Sequence, residues 1–222
     1  MFYAKKIGTL LAGLLIAGTV FSQTKLSLAT DLSVQHSLKK GQQYWAVGQT
    51  VHLHFHFTPK DGAYAWISYF SDGKFHNTLT ATGKSPFTIP QQIVYQNNAE
   101  MRFKHISLGW KRYLKGGPAS ETWNLYGNAG FGLLLGRVIN THDPVIDTAA
   151  YIVPVLSGKA NFKRLTFDLG LGFEIHIGGD IYIYLEGRAL IPASDYPSRY
   201  LFVNNSAPFM ATANAGIRIL FD

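Results

Sequence analysis

From Leu165 to Ile177 the chain places an apolar residue at every second position: Leu165, Phe167, Leu169, Leu171, Phe173, Ile175 and Ile177. Thr166, Asp168, Gly170, Gly172, Glu174 and His176 stand between them. A period of two marks a β-strand with one apolar and one polar face. Gly178-Gly179-Asp180 supplies residues that accept positive φ, as a tight hairpin requires. The chain then alternates again, with Ile181, Ile183, Leu185, Gly187 and Ala189 on one face and Tyr182, Tyr184, Glu186 and Arg188 on the other.

The same rhythm predicts strands over about 25–36, 44–57, 63–71, 102–114, 123–135 and 209–221, which with the hairpin makes eight. Strand four is hard to phase. Ile106, Leu108 and Trp110 fall in one set, while Met101 and Phe103 fall in the other, and a bulge is one way to reconcile them. The connections 58–62, 115–122 and 178–180 are compact. The stretches 72–99, 137–160 and 192–208 are expected to be long loops. Alternating short and long connections put the long ones on one side of a sheet.

A soluble sandwich buries the apolar face of each strand. A transmembrane barrel turns that face to lipid and keeps polar groups inside. Strands of this length match the ~9–11 residues that cross a bilayer better than the ~5–6 of globular sheets. The expected fold is therefore all-β: an eight-stranded, antiparallel, up-and-down transmembrane β-barrel. An open edge in lipid would leave backbone groups unpaired, so the ring must close. Trp45, Tyr64, Trp110, Tyr113, Trp123 and Tyr182 near strand ends suit interfacial girdles. The alternative, a secreted soluble barrel or sandwich, would reverse the inside and outside of every strand.

Residues 1–22 read as a secretory signal peptide, with Lys5 and Lys6 before the apolar run Ile7 to Val20 and cleavage before Gln23. Residues 23–222 then form one barrel domain. The chain has no cysteine, which excludes disulfides, thiolate metal sites and a lipid anchor on Cys. The net charge of +7 falls to +5 without Lys5 and Lys6. The cations are scattered, and no nucleic-acid motif is present, so no nucleic-acid partner is expected.

The leader, the glycine-rich amphipathic strands and the ending ANAGIRILF resemble the outer-membrane β-barrel proteins of the OmpX and OmpA membrane-domain kind, closest in style to small Bacteroidetes barrels. The resemblance covers nearly all of residues 24–222. It implies an integral place in the outer membrane among lipid and lipopolysaccharide, and delivery by the barrel-assembly machinery. Such proteins usually end in an aromatic residue that this machinery reads; here Phe221 is followed by Asp222. Members include tethers, adhesins and lipid-modifying enzymes, so the resemblance speaks to location rather than activity.

On this phase Asp31, His52, His54, His56, Asp168, Glu174, His176, Glu186, Arg188 and Arg218 face the lumen. An eight-stranded barrel is just wide enough for side chains to fill, so a polar lumen network without an open pore is the leading expectation, with no catalytic residue and no cofactor. His52, His54 and His56 at i, i+2 and i+4 are the metal-ligand candidates, and a His-lined metal or small-ligand binder on the same barrel is one alternative. His105-Ile106-Ser107 resembles the His-x-Ser arrangement of a lipid A deacylase, which makes a lipid A or phospholipid-modifying enzyme another alternative. GNAGFGLLLG lies inside an alternating strand, so its glycines read as close strand packing, not a phosphate cradle. The leading reading is non-enzymatic, a structural or interaction protein meeting extracellular partners through the long loops.

Overall fold

The strands close into a ring; over the height that all eight share, the outward positions are mostly apolar and the inward ones mostly polar or aromatic. The computed structural model describes residues 25–193, 200 and 209–221. The expected leader 1–22 and most of the 192–208 connection lie outside the described residues. The strands are β1 Lys25–Ser37, β2 Trp45–His56, β3 Asp61–Gly83, β4 Gln92–Lys115, β5 Trp123–Asp143, the two-residue β6 Tyr151–Ile152, β7 Gly158–Gly178, β8 Ile181–Pro192 and β9 Met210–Phe221. Antiparallel pairing runs β2-β1-β9-β8-β7-β5-β4-β3, and β2 pairs with β3 to close an eight-stranded ring. β6 hangs from the far end of β3 through Thr82↔Ile152 and Gly83↔Tyr151.

Short turns at 57–60, 116–122 and 179–180 gather at one end, and the other connections at the opposite end. Four strands are tall: β3, β4, β5 and β7 have 23, 24, 21 and 21 residues. The other four have 12 or 13. At ~3.3 Å per residue the tall group forms a wall rising well beyond what a bilayer crossing needs.

This wall corrects the expected loop 72–99. Residues 73–83 and 92–99 are strand, paired from Gly73↔Met101 to Thr82↔Gln92, which leaves only 84–91 as connection. The pairing shifts between Phe70 and Gly73, and Asp72 there adopts φ 60°. One extra residue reverses the parity of the strand. Even-numbered side chains (Tyr64, Trp66, Ser68, Phe70) point inward before the bulge; Phe75, Leu79 and Ala81 do so after it. The stretch 137–160 is likewise shortened, because β5 runs to Asp143 and β7 starts at Gly158.

β4 needs no bulge at the place where its sequence is ambiguous. Its odd-numbered residues face inward all along, from Tyr95 through Met101 and Phe103 to His105, Lys111 and Tyr113. What changes along it is the surroundings. Outside, Ile106, Leu108 and Trp110 give way to Lys104, Arg102 and Glu100. Inside, polar His105 and Ser107 give way to apolar Phe103 and Met101.

Tyr44, Phe70, Phe75, Met101, Phe103, Leu134, Val138, Phe162, Leu190 and Met210 pack together at that level as an apolar plug. Leu134, which its strand's alternation placed with the polar set, belongs to it. A second cluster of Leu79, Ala81, Tyr95, Ile146, Tyr151 and Val155 sits higher, where the 144–157 segment lies against the wall. The girdle expectation fails for three of its six residues. Trp45, Trp110 and Trp123 face outward, but Tyr64, Tyr113 and Tyr182 are buried in the lumen.

Candidate functional site: the charged lumen

The charge in the lumen comes from both sets of strands: Asp31, Glu186, Arg188 and Arg218 from β1, β8 and β9, and Lys111, Arg164, Asp168 and Glu174 from β4 and β7. Asp31, on β1, stands at the centre. It accepts hydrogen bonds from Tyr184 Oη (2.8 Å) and from Ser33 Oγ, and Arg188 Nη2 lies 3.3 Å away. His52 Nε2 is 2.8 Å from Asp31 Oδ2 and 2.8 Å from Arg188 Nη2. That nitrogen cannot donate to the carboxylate and accept from the guanidinium at once. Its tautomer therefore decides which contact is a hydrogen bond. Arg188 also pairs with Glu186 and lies 4.3 Å from the Trp66 ring centre. Asn128 Nδ2 donates to Glu186 Oε2 at 2.8 Å.

Nearer the short-turn end Arg218 grips Glu174 through two donors, Nε at 3.0 Å and Nη2 at 2.8 Å. This is the two-pronged geometry that makes Arg–carboxylate pairs strong. Asn124 Nδ2 adds a third donor to Glu174 at 2.9 Å, and Lys111 Nζ stands 3.7 Å off while capping the Tyr126 ring at 3.7 Å. Arg218 also donates to Ser27 Oγ (3.0 Å) and to the Pro118 carbonyl (2.9 Å). The last bond pulls the 116–122 turn inward, so Pro118 lies under the end of the lumen. Gly116 holds φ 74° in that turn, where Asn124 Oδ1 accepts from the Gly117 N–H.

A third group lies against β7. His105 Nδ1 accepts from Trp66 Nε1 at 3.3 Å, and its Nε2 is 3.0 Å from Thr166 Oγ1 and 3.3 Å from Asp168 Oδ2. Ser107 does not join it: its hydroxyl donates to the Phe131 carbonyl at 3.2 Å. The His-x-Ser alternative thus meets a histidine with a carboxylate nearby, but with the serine committed to backbone and both side chains buried inside the barrel, away from lipid. A serine nucleophile needs its histidine within hydrogen-bond reach.

Nine of the ten residues expected in the lumen network are buried there: Asp31, His52, His54, His56, Asp168, Glu174, Glu186, Arg188 and Arg218. His176 is the exception. It sits at the rim beside the 179–180 turn, where its Nε2 contacts the Gly179 carbonyl (2.6 Å) and its ring meets Tyr182. The strand ends there, so the alternation carries His176 out of the lumen.

The three histidines of β2 form a ladder, with successive ring centres 5.5 and 6.1 Å apart. Each has its own surroundings: His52 meets Asp31, and His56 Nε2 meets Ser27 Oγ at 2.7 Å. Among the described residues no three His, Cys, Asp or Glu side chains gather in a way that could hold a metal ion.

Lys111, Asn124, Asn128, His105, Thr166, Tyr184 and Trp66 also belong to the network and were not singled out as lumen residues from sequence. Lys111 is the instructive one. Only 1% of its surface is exposed, yet it lies in the strand whose phase could not be read. The missing signal is the alternation Ile106, Leu108, Trp110 continued to Arg112 and Leu114, which puts Lys111 on the opposite face.

No protein-family model matches the chain, and no curated protein matches its sequence. Solved structures do match its fold. The attachment invasion locus protein Ail of Yersinia pestis aligns over 89% of this chain and 99% of its own, with TM-score 0.50 and 10% identity. Neisserial surface protein A aligns over 88% of this chain and 97% of its own, with TM-score 0.53 and 8% identity.

Proposed function

From this eight-stranded transmembrane barrel fold, which is shared with those two proteins, we propose an integral outer-membrane protein with a structural or surface-interaction role and no open pore. The carrying observation is the filled interior. The ionic groups around Asp31 and Glu174 occupy the membrane-level lumen, the apolar plug lies above them, and Pro118 lies below. A permeation path would have to cross both the charge network and the plug. A barrel of eight strands has little room for one.

The apolar outward faces of β1, β2, β8 and β9 support residence in a bilayer. Leu32, Val47, Ile183, Leu185 and Ile217 are all large, apolar and exposed. The tall wall of β3, β4, β5 and β7 supports a role on the far side. It projects past the membrane-facing band and is polar outside, as a surface meeting water must be. The names of the two similar barrels, an attachment protein and a surface protein, agree with such a setting. The reading is non-enzymatic, since the lumen groups neither line an open cleft nor face lipid.

The test is electrophoresis of the detergent-extracted protein before and after boiling, paired with conductance in planar bilayers. The expected result is faster migration unboiled, the mark of a closed barrel that resists SDS, with no unitary conductance. A protein that stays soluble without detergent, or one that opens steady channels, sinks the proposal.

A further inference from the structure

The outward face of the tall wall can be read row by row from the strand registers. At mid-height Leu108, Phe131 and Phe167 stand side by side on β4, β5 and β7, and Ile106, Leu133 and Leu165 form the row above them. The next row is Tyr69, Lys104, Leu135 and Lys163, and the one after it is Arg102, Arg137 and Asn161. Within two steps the surface changes from wholly apolar to four cations on three adjacent strands. These residues, with Phe103, Gly136 and Phe162 beneath, line a depression of about 740 Å³ in the barrel wall.

Two features of this cluster point to a missing anion. Arg102 and Arg137 are direct cross-strand neighbours, and like charges placed so repel one another. Glu100 takes up Arg102, at 3.0 and 2.8 Å, from one edge only. Arg137 is half-buried, and its Nε proton has no acceptor among the described residues. A guanidinium kept partly out of water with a donor unused is set to receive an oxyanion.

Resting on the outer-membrane reading above, we infer that Arg102, Lys104, Arg137 and Lys163 form a headgroup site for a membrane lipid bearing two or more phosphate groups. Its acyl chains lie along the Ile106–Leu133–Leu165 and Leu108–Phe131–Phe167 rows. The occupant is a membrane lipid rather than free phosphate because the cations begin immediately above the lipid-facing rows, at the height where a phosphorylated headgroup sits. The two arginines, with planar forks suited to phosphate oxygens, lie one row further from the lipid-facing rows than the lysines. Basic residues near a membrane surface attract anionic lipid in just this way.

The test uses the full chain purified in nonionic detergent, titrated with diphosphoryl lipid A, with the same lipid stripped of phosphate, and with inorganic phosphate. The expected result is that diphosphoryl lipid A binds, that removing its phosphates weakens binding at least tenfold, and that millimolar inorganic phosphate does not displace it. The combined Arg102→Gln, Lys104→Gln, Arg137→Gln and Lys163→Gln variant should lose at least tenfold in affinity while keeping the gel shift on boiling. Should that variant not fold, the pair Lys104→Gln and Lys163→Gln, both on exposed side chains, should still lose at least threefold. Equal binding by variant and parent, equal binding of the phosphate-free lipid, or displacement by inorganic phosphate overturns the inference. A parent that shows no gel shift and needs no detergent overturns instead the outer-membrane reading on which it rests.

Discussion

Two levels of the same wall obey opposite rules. At the height of Leu133 on β5, the strand shows Phe131 and Leu133 outward and Gly130 and Gly132 inward, against the buried Asp168 and Thr166. Eight residues on from Phe131, it shows Ile139 and Thr141 outward beside Arg137, with Val138 inside among Met101, Phe103 and Phe162. The lower level is apolar outside and ionic within; the upper level is built like a soluble sheet. Backbone and pairing continue unbroken through the change. What differs is the solvent on the outside, lipid below and water above, and side-chain polarity follows it.

The sharpest way to break this comparison is to delete Asp72. Without the bulge residue, β3 above Phe70 changes parity, turning Phe75 and Leu79 to water and Lys74 and His76 inward. Losing the burial of those two large side chains and burying a cation costs more than about 5 kcal/mol. The expected outcome is protease cleavage within 73–83 while the gel shift on boiling survives. Uniform loss of the barrel would show that the two levels fold as one unit.

The next effect belongs to the lower level alone. Glu174→Ala strands Arg218 and Lys111 in the lumen without their carboxylate. Breaking a buried pair from one side costs about 3–5 kcal/mol, measured by urea unfolding in lipid vesicles. A loss below 1 kcal/mol would mean that water enters the lumen and screens these charges.

The smallest effect comes from matched substitutions on one face of β5. Phe131→Arg places a charge toward the lipid and should cost about 2–4 kcal/mol, whereas Ile139→Arg in the upper level should cost about 0–1. Equal costs in the same unfolding assay would erase the distinction between the levels.

The same contrast explains what could be read from sequence. At the lower level a period of two with one apolar face recurs along most strands, and the eight strands, the inward faces of all but β3 and β4, and nine lumen residues follow from it. At the upper level the apolar set moves to the inner face. Met101 and Phe103 therefore clash with Ile106 and Leu108 when one rule is applied to the whole of β4. The 73–83 stretch suffers twice, since its parity also flips at Asp72 and its outward Thr78, Thr80 and Thr82 read as loop. Partners within the lumen were legible only as a set. That Glu174 belongs to Arg218, and Asp31 to Arg188, depends on strand order around the ring, which alternation does not encode.

The seam of the ring has a consequence for timing. β1 and β9 pair from Leu26↔Phe221 to Ser37↔Met210, joining the first strand of the barrel to the last. Contacts between segments so distant in the chain form slowly, because a long loop must close before they repay it. Until β9 arrives, the other strands make a sheet with two raw edges, each able to recruit a stray strand. Closure is therefore the step at which the sheet loses its last open edges. Any strand that pairs with the free edge of β1 before β9 arrives competes for the same register, Leu26↔Phe221 to Ser37↔Met210.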